Sequence, residues 1–136
     1  NQSFYGNDDE LSPRINFHAN AIYSLNKQID IDPSMLIMRQ NGNTNTVIGD
    51  CCIIDNGVVI AHDNLIGNGC HIAPGANLGS SIILGQNTVV AIGASISSNI
   101  NIGNNCILSV GSSIIQDVES HSVIGGVPGK VIGKTK

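Results

Sequence analysis

A strict six-residue period constrains this sequence more than any other feature. From Ile48 to Ile114 every sixth residue is Ile, Leu or Val, twelve times in succession and without an insertion. Three positions after each of them, from Cys51 to Asp117, ten of the twelve residues are Gly, Asn or Asp, which tolerate a positive φ. The fourth position is mostly small. A short strand followed by a tight corner fits this period, whereas a helix or an alternating-strand sandwich needs no turn residue every six positions.

Three such strands close a triangular coil, so positions 18 apart in the sequence stack on one another. Strands in a sheet lie about 4.8 Å apart, and the twelve repeats therefore form a prism about 19 Å long. Hydrogen bonds to the coils above and below satisfy the main chain. The sequence predicts an all-β parallel β-helix of about four to five coils over residues 31–118. Ile31–Ile37 is a partial coil and Met38–Thr46 a loop; residues 1–30 form an arm or cap, and residues 119–136 a C-terminal tail.

Composition argues against several classes of partner. The net charge is −4, only 12% of residues are charged, and no basic residue lies between Arg39 and Lys130, so we expect no nucleic-acid binding. No run of 18 apolar residues is present, so we expect no membrane span. Cys52, Cys70 and Cys106 fall in the small inward position. They are predicted to be core thiols rather than metal ligands or disulfides, which favours a cytoplasmic location.

Outward residues sort into ladders of stacked positions. One ladder is apolar apart from a histidine, as at a protein interface: Ile53, His71, Val89, Ile107. The same face is predicted to carry flattening glycines: Gly49, Gly67, Gly85, Gly103. A third ladder is entirely glycine: Gly57, Gly75, Gly93, Gly111. It would form a groove floor where an extended ligand lies against backbone amides; the alternative is that this corner simply favours glycine.

His62 is a candidate general base, because it lies at a corner beside Asp63 and stacks beneath Ser80 and Ser98; the alternative is an inert surface histidine. Asp63 occupies a turn position where Asp is expected in any case. His71 lies nine positions further on, half a coil away, so the two histidines would meet only across a subunit boundary. His18 and His121 are expected to be inert surface residues. A γ-type carbonic-anhydrase zinc site needs three histidines, and the repeat holds two, so we expect no metal.

The segment from Ile60 to Ala76, IAHDNLIGNGCHIAPGA, resembles the signature of the sialic-acid O-acetyltransferase (NeuD/PglD-like) family of acetyl-CoA-dependent sugar acetyltransferases. Val90–Ala94, Val110–Ile114 and Gly126–Lys130 are similar to the later repeats and tail of that family. The resemblance covers about residues 31–134. Many members carry an N-terminal Rossmann-type domain, and residues 1–46 do not match it. We therefore expect either a missing upstream piece, since the chain begins without Met, or a different acceptor.

The resemblance implies a left-handed β-helix and a homotrimer, with acetyl-CoA in the groove between neighbouring prisms. His62 would be the general base and Asp63 the acid that raises its basicity. His71 would contact the acetyl group or the pantetheine arm, and the Ser80 N–H would hold the thioester oxygen. Further cofactor-binding positions are Ile92, Gly93, Val110, Gly111 and Pro128. The phosphates of CoA need cations, which the basic tail would supply; the alternative is a tail that is merely solvated. Its basic residues are Lys130, Lys134 and Lys136.

The function expected from these features is direct acetyl transfer from acetyl-CoA to a hydroxyl or amino group of a sugar in glycan or surface-polysaccharide synthesis. A base and an oxyanion donor suffice, so no acyl-enzyme is required. Three alternatives remain open. The acceptor is not a sugar but a molecule such as serine; the chain is a non-catalytic β-helical scaffold; or it is a metal-dependent hydrase.

Overall fold

The computed structural model describes residues 21–23, 30–32, 34, 36–37 and 46–136, and within these the chain is all β. Most strands are only two residues long, because a corner follows each inward aliphatic residue. The strands are β1 Ala21–Tyr23, β2 Asp30–Ile31, β3 Leu36–Ile37, β4 Thr46–Ile48, β5 Ile53–Ile54, β6 Val59–Ile60, β7 Leu65–Ile66, β8 His71–Ile72, β9 Asn77–Leu78, β10 Ile83–Leu84, β11 Val89–Val90, β12 Ser95–Ile96, β13 Asn101–Ile102, β14 Ile107–Leu108, β15 Ser113–Ile114, β16 Ser122–Gly125 and β17 Lys130–Lys134.

Three sheets, parallel except for β17, form the sides of the prism. Sheet I has the order β1-β4-β7-β10-β13, sheet II β17-β16-β14-β11-β8-β5-β2 and sheet III β15-β12-β9-β6-β3. Within the regular repeat each residue pairs with the one 18 positions on, as Ile48 pairs with Ile66 and Leu84 with Ile102. The predicted parallel β-helix is therefore confirmed. Its left-handed sense and trimeric assembly stay predictions.

The six-residue period correctly identifies the core residues and the corners. All twelve periodic aliphatic residues from Ile48 to Ile114 are buried, and so are the twelve residues in the small inward position from Cys52 to Val118. Eleven of the twelve predicted turn residues have a positive φ, and Asp117 is the exception. Asp63 has φ 63°, so it is a genuine corner residue as well as a partner of His62.

Both ends of the regular repeat continue into the sheets. Ile31 pairs with Ile54 and Ile37 pairs with Ile60, each 23 residues further on. The predicted partial coil is therefore confirmed. Its offset exceeds the regular 18 residues by five. β16 adds to sheet II beyond β14, and β17 folds back antiparallel on β16. The sheets thus extend beyond residues 31–118, and the division of the chain into arm, helix and tail stays a prediction.

The buried polar residues of the corners make hydrogen bonds to the main chain. The fully buried Asn64 donates from Nδ2 to the carbonyls of Ala61 and Gly79, both at 2.9 Å, and accepts from the Ile82 N–H at 2.8 Å. One side chain therefore joins two successive coils without leaving a buried polar atom unpaired. Within the part of the chain that the structure describes, no helix has the length and hydropathy needed to cross a bilayer.

Candidate active site

The predicted site residues gather along two of the three edges of the prism. The histidine edge joins sheet III to sheet I and carries His62, Ser80 and Ser98. The glycine edge joins sheet II to sheet III and carries the ladder of Gly57, Gly75, Gly93 and Gly111. Because sheet III separates the two edges, a single chain does not bring His62 together with the groove residues.

On the histidine edge, His62 and Asp63 form a close pair. The Nδ1 atom of His62 lies 2.7 Å from Oδ2 of Asp63, and the two side chains are 32% and 19% exposed. A carboxylate only accepts hydrogen bonds, so Nδ1 carries a proton and Nε2 is left to accept one. The stacking predicted for this edge is confirmed: the Ser81 N–H donates to the His62 carbonyl at 3.0 Å. The pair has the chemistry of a general base held in one tautomer.

The backbone N–H of Ser80, predicted to hold the thioester oxygen, has a partner in this structure. It donates to the hydroxyl of Ser98 in the next coil at 3.0 Å, and the Ser80 hydroxyl donates to the same atom at 3.2 Å. Ser98 is exposed, so rotation about a single side-chain torsion would release the N–H. The sequence placed Ser98 in the same ladder but gave no sign that its hydroxyl caps this donor.

The glycine edge is open. A Cβ atom built on Gly75, Gly93 or Gly111 would meet nothing within 4 Å, and all three have a positive φ. Their amides differ from the expectation, because each donates to the coil below; the Gly93 N–H, for example, reaches the Pro74 carbonyl at 3.1 Å. The edge therefore offers space rather than hydrogen-bond donors. The neighbouring side chains of Ile92 and Val110 are 56% and 69% exposed and line it with apolar surface.

His71 projects from sheet II two residues before the glycine edge, and it has a carboxylate partner that sequence reasoning missed. Its Nε2 lies 2.7 Å from Oδ2 of Asp55 in the coil below. Asp55 stands 16 residues before His71 rather than 18, so the ladder rule did not align the two. The apolar ladder around His71 is confirmed: His71 pairs with Ile53 and Val89, and Ile53 and Ile107 are exposed.

The C-terminal hairpin brings only part of the predicted phosphate clamp to the glycine edge. The turn before β17 stacks on the last corner, because the Ser113 N–H donates to Gly126 and the Gly129 N–H donates to Ser113. Pro128 and Lys130 thus lie at the end of the glycine ladder. Lys134 pairs opposite Ser122, four residues or about 13 Å further along the strand, and so does not join them.

The buried thiols behave as core residues. The Cys52 Sγ lies 3.2 Å from the Gly67 carbonyl and the Cys70 Sγ lies 3.1 Å from the Gly85 carbonyl. The hydrogen bond with Cys52, and then burial, raise the pKa of the Cys70 thiol, which favours its protonated form. Across the described residues, no three His, Cys, Asp or Glu side chains come together as a candidate metal site. That no metal is used stays a prediction.

A model of the bacterial transferase hexapeptide (six repeats) matches residues 45–80, about a quarter of the chain. No match was found among curated protein sequences. Among solved structures, PerB from Caulobacter crescentus in complex with CoA and GDP-perosamine is 25% identical with a TM-score of 0.78, covering 86% of this chain and 53% of PerB.

Two further solved structures share the fold. The acetyltransferase domain of PglB from Neisseria gonorrhoeae, in complex with acetyl coenzyme A, is 21% identical with a TM-score of 0.78, covering 85% of this chain and 53% of that one. A hexapeptide-repeat acetyltransferase from Vibrio cholerae, complexed with acetyl coenzyme A, is 18% identical with a TM-score of 0.67, covering 94% and 75%. The chain spans about half the length of the first two. It is thus a parallel β-helix that carries the bacterial transferase hexapeptide repeat and shares the architecture of these acetyltransferases.

Proposed function

We propose that this chain is an acetyl-CoA-dependent acetyltransferase that acylates a hydroxyl or amino group of a sugar or sugar nucleotide. The observation that carries the proposal is the pairing of His62 with Asp63 at 2.7 Å on a prism whose next edge is an open, apolar glycine ladder. The solved structures support it, because the PerB complex contains CoA and GDP-perosamine and the PglB domain contains acetyl coenzyme A.

The proposed chemistry is a direct transfer. Nε2 of His62 takes the proton from the acceptor hydroxyl or amine as that atom attacks the thioester carbon. The carbon–sulfur bond then breaks, and the proton passes from the imidazolium to the departing thiolate. Asp63 holds the ring in the tautomer that leaves Nε2 free, and its charge favours the imidazolium as it forms. No covalent enzyme intermediate is needed.

The open glycine edge fits the aliphatic pantetheine arm, since Ile92 and Val110 supply exposed apolar surface and the ladder leaves room for a chain to lie flat. Lys130, at the end of the ladder, would neutralise phosphate. Because His62 lies on a different edge, the complete site requires the histidine edge of one subunit against the glycine edge of another. We propose a homotrimer, the arrangement implied by the family resemblance. The exposed apolar ladder of sheet II supports such an interface.

The test of the function is calorimetric titration with acetyl-CoA, followed by assay of thiol release with amino-sugar nucleotides, sialic acid and serine as separate acceptors. We expect binding, with release stimulated by a sugar acceptor. Stimulation by sialic acid would place the activity with the resembling family, and stimulation by serine alone would reassign the acceptor. Absence of acetyl-CoA binding by the folded protein would contradict the proposal and favour a scaffold.

A substitution at the glycine edge tests the proposed groove. Gly93→Ala adds a methyl group where there is open space, so the folded structure should persist, while the new Cβ obstructs a ligand lying on the ladder. We expect acetyl-CoA affinity to fall about tenfold, equivalent to about 1.4 kcal/mol. The matched control is Asn105→Ala, which also places alanine at a positive φ, 56°, but on the third edge. Equal affinities for the two variants would contradict the groove.

The hydroxyl of Ser98 competes with a ligand for the Ser80 N–H. Ser98→Ala frees that donor, and we expect kcat for acetyl transfer to rise about two- to tenfold, the equivalent of one ordinary hydrogen bond. Ser97→Ala removes a neighbouring exposed hydroxyl and should leave kcat unchanged. A tenfold fall in kcat for Ser98→Ala, seen in steady-state assays, would mean instead that the Ser98 hydroxyl itself stabilises the reacting oxygen.

A further inference from the structure

The pairing of Asp55 with His71 is not used by the proposed transfer step. Asp55 follows β5 at the start of the glycine edge, and its carboxylate lies 2.7 Å from Nε2 of His71. The main chain of Asp55 is also fixed, because its N–H donates to the Ile72 carbonyl at 2.9 Å. The carboxylate is therefore tied to the same strand that carries the imidazole, and both side chains stay partly exposed, at 31% and 44%.

The surroundings of His71 leave Asp55 to set its orientation. Along the outward face of sheet II the imidazole has Ile53 on one side and Val89 on the other, and neither side chain can form a hydrogen bond. Among the described residues, Asp55 is the hydrogen-bond partner that the structure gives to the ring. An ionised carboxylate accepts only, so Nε2 carries a proton, and in the neutral ring Nδ1 is an acceptor.

We propose that Asp55 is a positioning residue that fixes the tautomer of His71, so that Nδ1 accepts a hydrogen bond from an amide N–H of the pantetheine arm on the glycine edge. The inference rests on the proposed function. It adds Asp55 as a positioning residue and assigns Nδ1 of His71 the role of hydrogen-bond acceptor. The amides of Gly75, Gly93 and Gly111 are engaged in the stack, and Ile92 and Val110 are apolar. His71 thus supplies a polar anchor beside an otherwise apolar surface.

The arrangement mirrors that of His62. There the carboxylate holds Nδ1 and presents Nε2, whereas here the carboxylate holds Nε2 and presents Nδ1. The two carboxylates therefore leave different ring nitrogens free: Nε2 of His62 for the molecule that receives the acetyl group, and Nδ1 of His71 for acetyl-CoA. Because Nδ1 of His71 accepts a hydrogen bond, it favours ligands that carry amide N–H groups, as the pantetheine arm does.

The experiment measures acetyl-CoA binding and turnover in the full chain. Asp55→Ala should raise KM and Kd for acetyl-CoA about tenfold while kcat changes less than threefold. His71→Ala should do the same, and the double variant should be no weaker than either single one, because the two side chains act through one contact. Asp50→Ala removes another partly exposed corner carboxylate and should leave Kd unchanged. S-acetyl-pantetheine, which lacks the nucleotide, should show the same Asp55 dependence.

A spectroscopic measurement tests the tautomer independently of activity. In the wild-type chain labelled with ¹⁵N-histidine, the His71 signals, assigned from the His71→Ala variant, should show the Nε2–H tautomer in the neutral ring, with Nδ1 unprotonated. Acetyl-CoA should shift the Nδ1 resonance. Wild-type binding with an unaltered Kd for Asp55→Ala, or additive effects in the double variant, would overturn the inference alone. Failure of the wild type to bind acetyl-CoA would overturn the proposed function and this inference with it.

Discussion

His62→Ala should lower kcat for acetyl transfer by about 10²- to 10⁴-fold, the usual cost of losing a positioned general base. The imidazole is partly exposed and contributes nothing to the aliphatic core, so the β-helix should remain intact. KM for acetyl-CoA should change little, because the glycine edge that is proposed to hold it lies across sheet III. Steady-state kinetics at saturating acceptor, with circular dichroism as a check on folding, measure the effect.

Two further variants sharpen this prediction. Asp63→Asn keeps a residue suited to the positive φ of 63° at this corner, so it removes the charge without straining the backbone. We expect kcat to fall by up to about 10⁴-fold, because the amide Nδ2 can donate to Nδ1 of His62 and so favour the wrong tautomer. His121→Ala removes an exposed histidine at another corner, where its Nδ1 faces the Lys136 carbonyl, and should leave kcat unchanged. Activity of His62→Ala within a few-fold of wild type would eliminate His62 as the base.

The parallel β-helix could be predicted from the sequence because one repeated unit determines its core and corners. Each hexapeptide carries its own inward side chain and its own turn residue, so the periodic positions identify the core and the corners without any long-range information. Where the period breaks, the prediction weakened. The fold-back of β17 onto β16 could not be predicted, because nothing periodic marks an antiparallel hairpin. Residues 38–45 of the predicted loop lie outside the residues that the structure describes.

For the site, spacing predicted stacking but not diagonal contacts. The ladder rule aligned His62 with Ser80 and Ser98, and the Ile53 ladder with His71. It missed the contact of Asp55 with His71, because a side chain that reaches diagonally to the next coil obeys no multiple of six. The ladder rule also gives no side-chain rotamer, so it could not predict the hydrogen bond from the Ser80 N–H to the Ser98 hydroxyl.

One glycine ladder was misplaced. Gly49, Gly67, Gly85 and Gly103 were expected to flatten the apolar face of sheet II, but they follow the strands of sheet I, at the edge where sheet I joins sheet II. The reason for glycine there is close approach between coils. A Cβ on Gly67 would lie 2.7 Å from the backbone nitrogen of Gln86, and a Cβ on Gly103 would lie 2.4 Å from that of Ser120. These distances apply to backbone atoms, which a rotamer change cannot move.

Gly85→Ala should therefore destabilise the protein more than any other glycine substitution considered above, by about 3 kcal/mol or more, since overpacking that displaces main chain lies at the upper end of its usual cost. The added Cβ would lie 2.4 Å from both the carbonyl carbon and oxygen of Gly103, and 2.5 Å from Oδ1 of Asn104. Separating the coils would strain the hydrogen bonds from Gly85 to Ile102 at 2.8 Å and from Gln86 to Asn104 at 2.9 Å. Relief of the clash thus costs the stacking that holds the prism together.

Gly93→Ala is the matched comparison, because its physical cost has a different origin. Gly93 has φ 66° and open space beside it, so alanine there meets a conformational penalty of about 1–2 kcal/mol and no clash. For a chain of this size, thermal unfolding should show a fall in Tm of about 10 °C for Gly85→Ala and about half that or less for Gly93→Ala. If the order were reversed, with Gly85→Ala within 1 kcal/mol of wild type, the coils would have to be able to part locally. In that case the close stacking of backbones would not be what demands glycine at this edge.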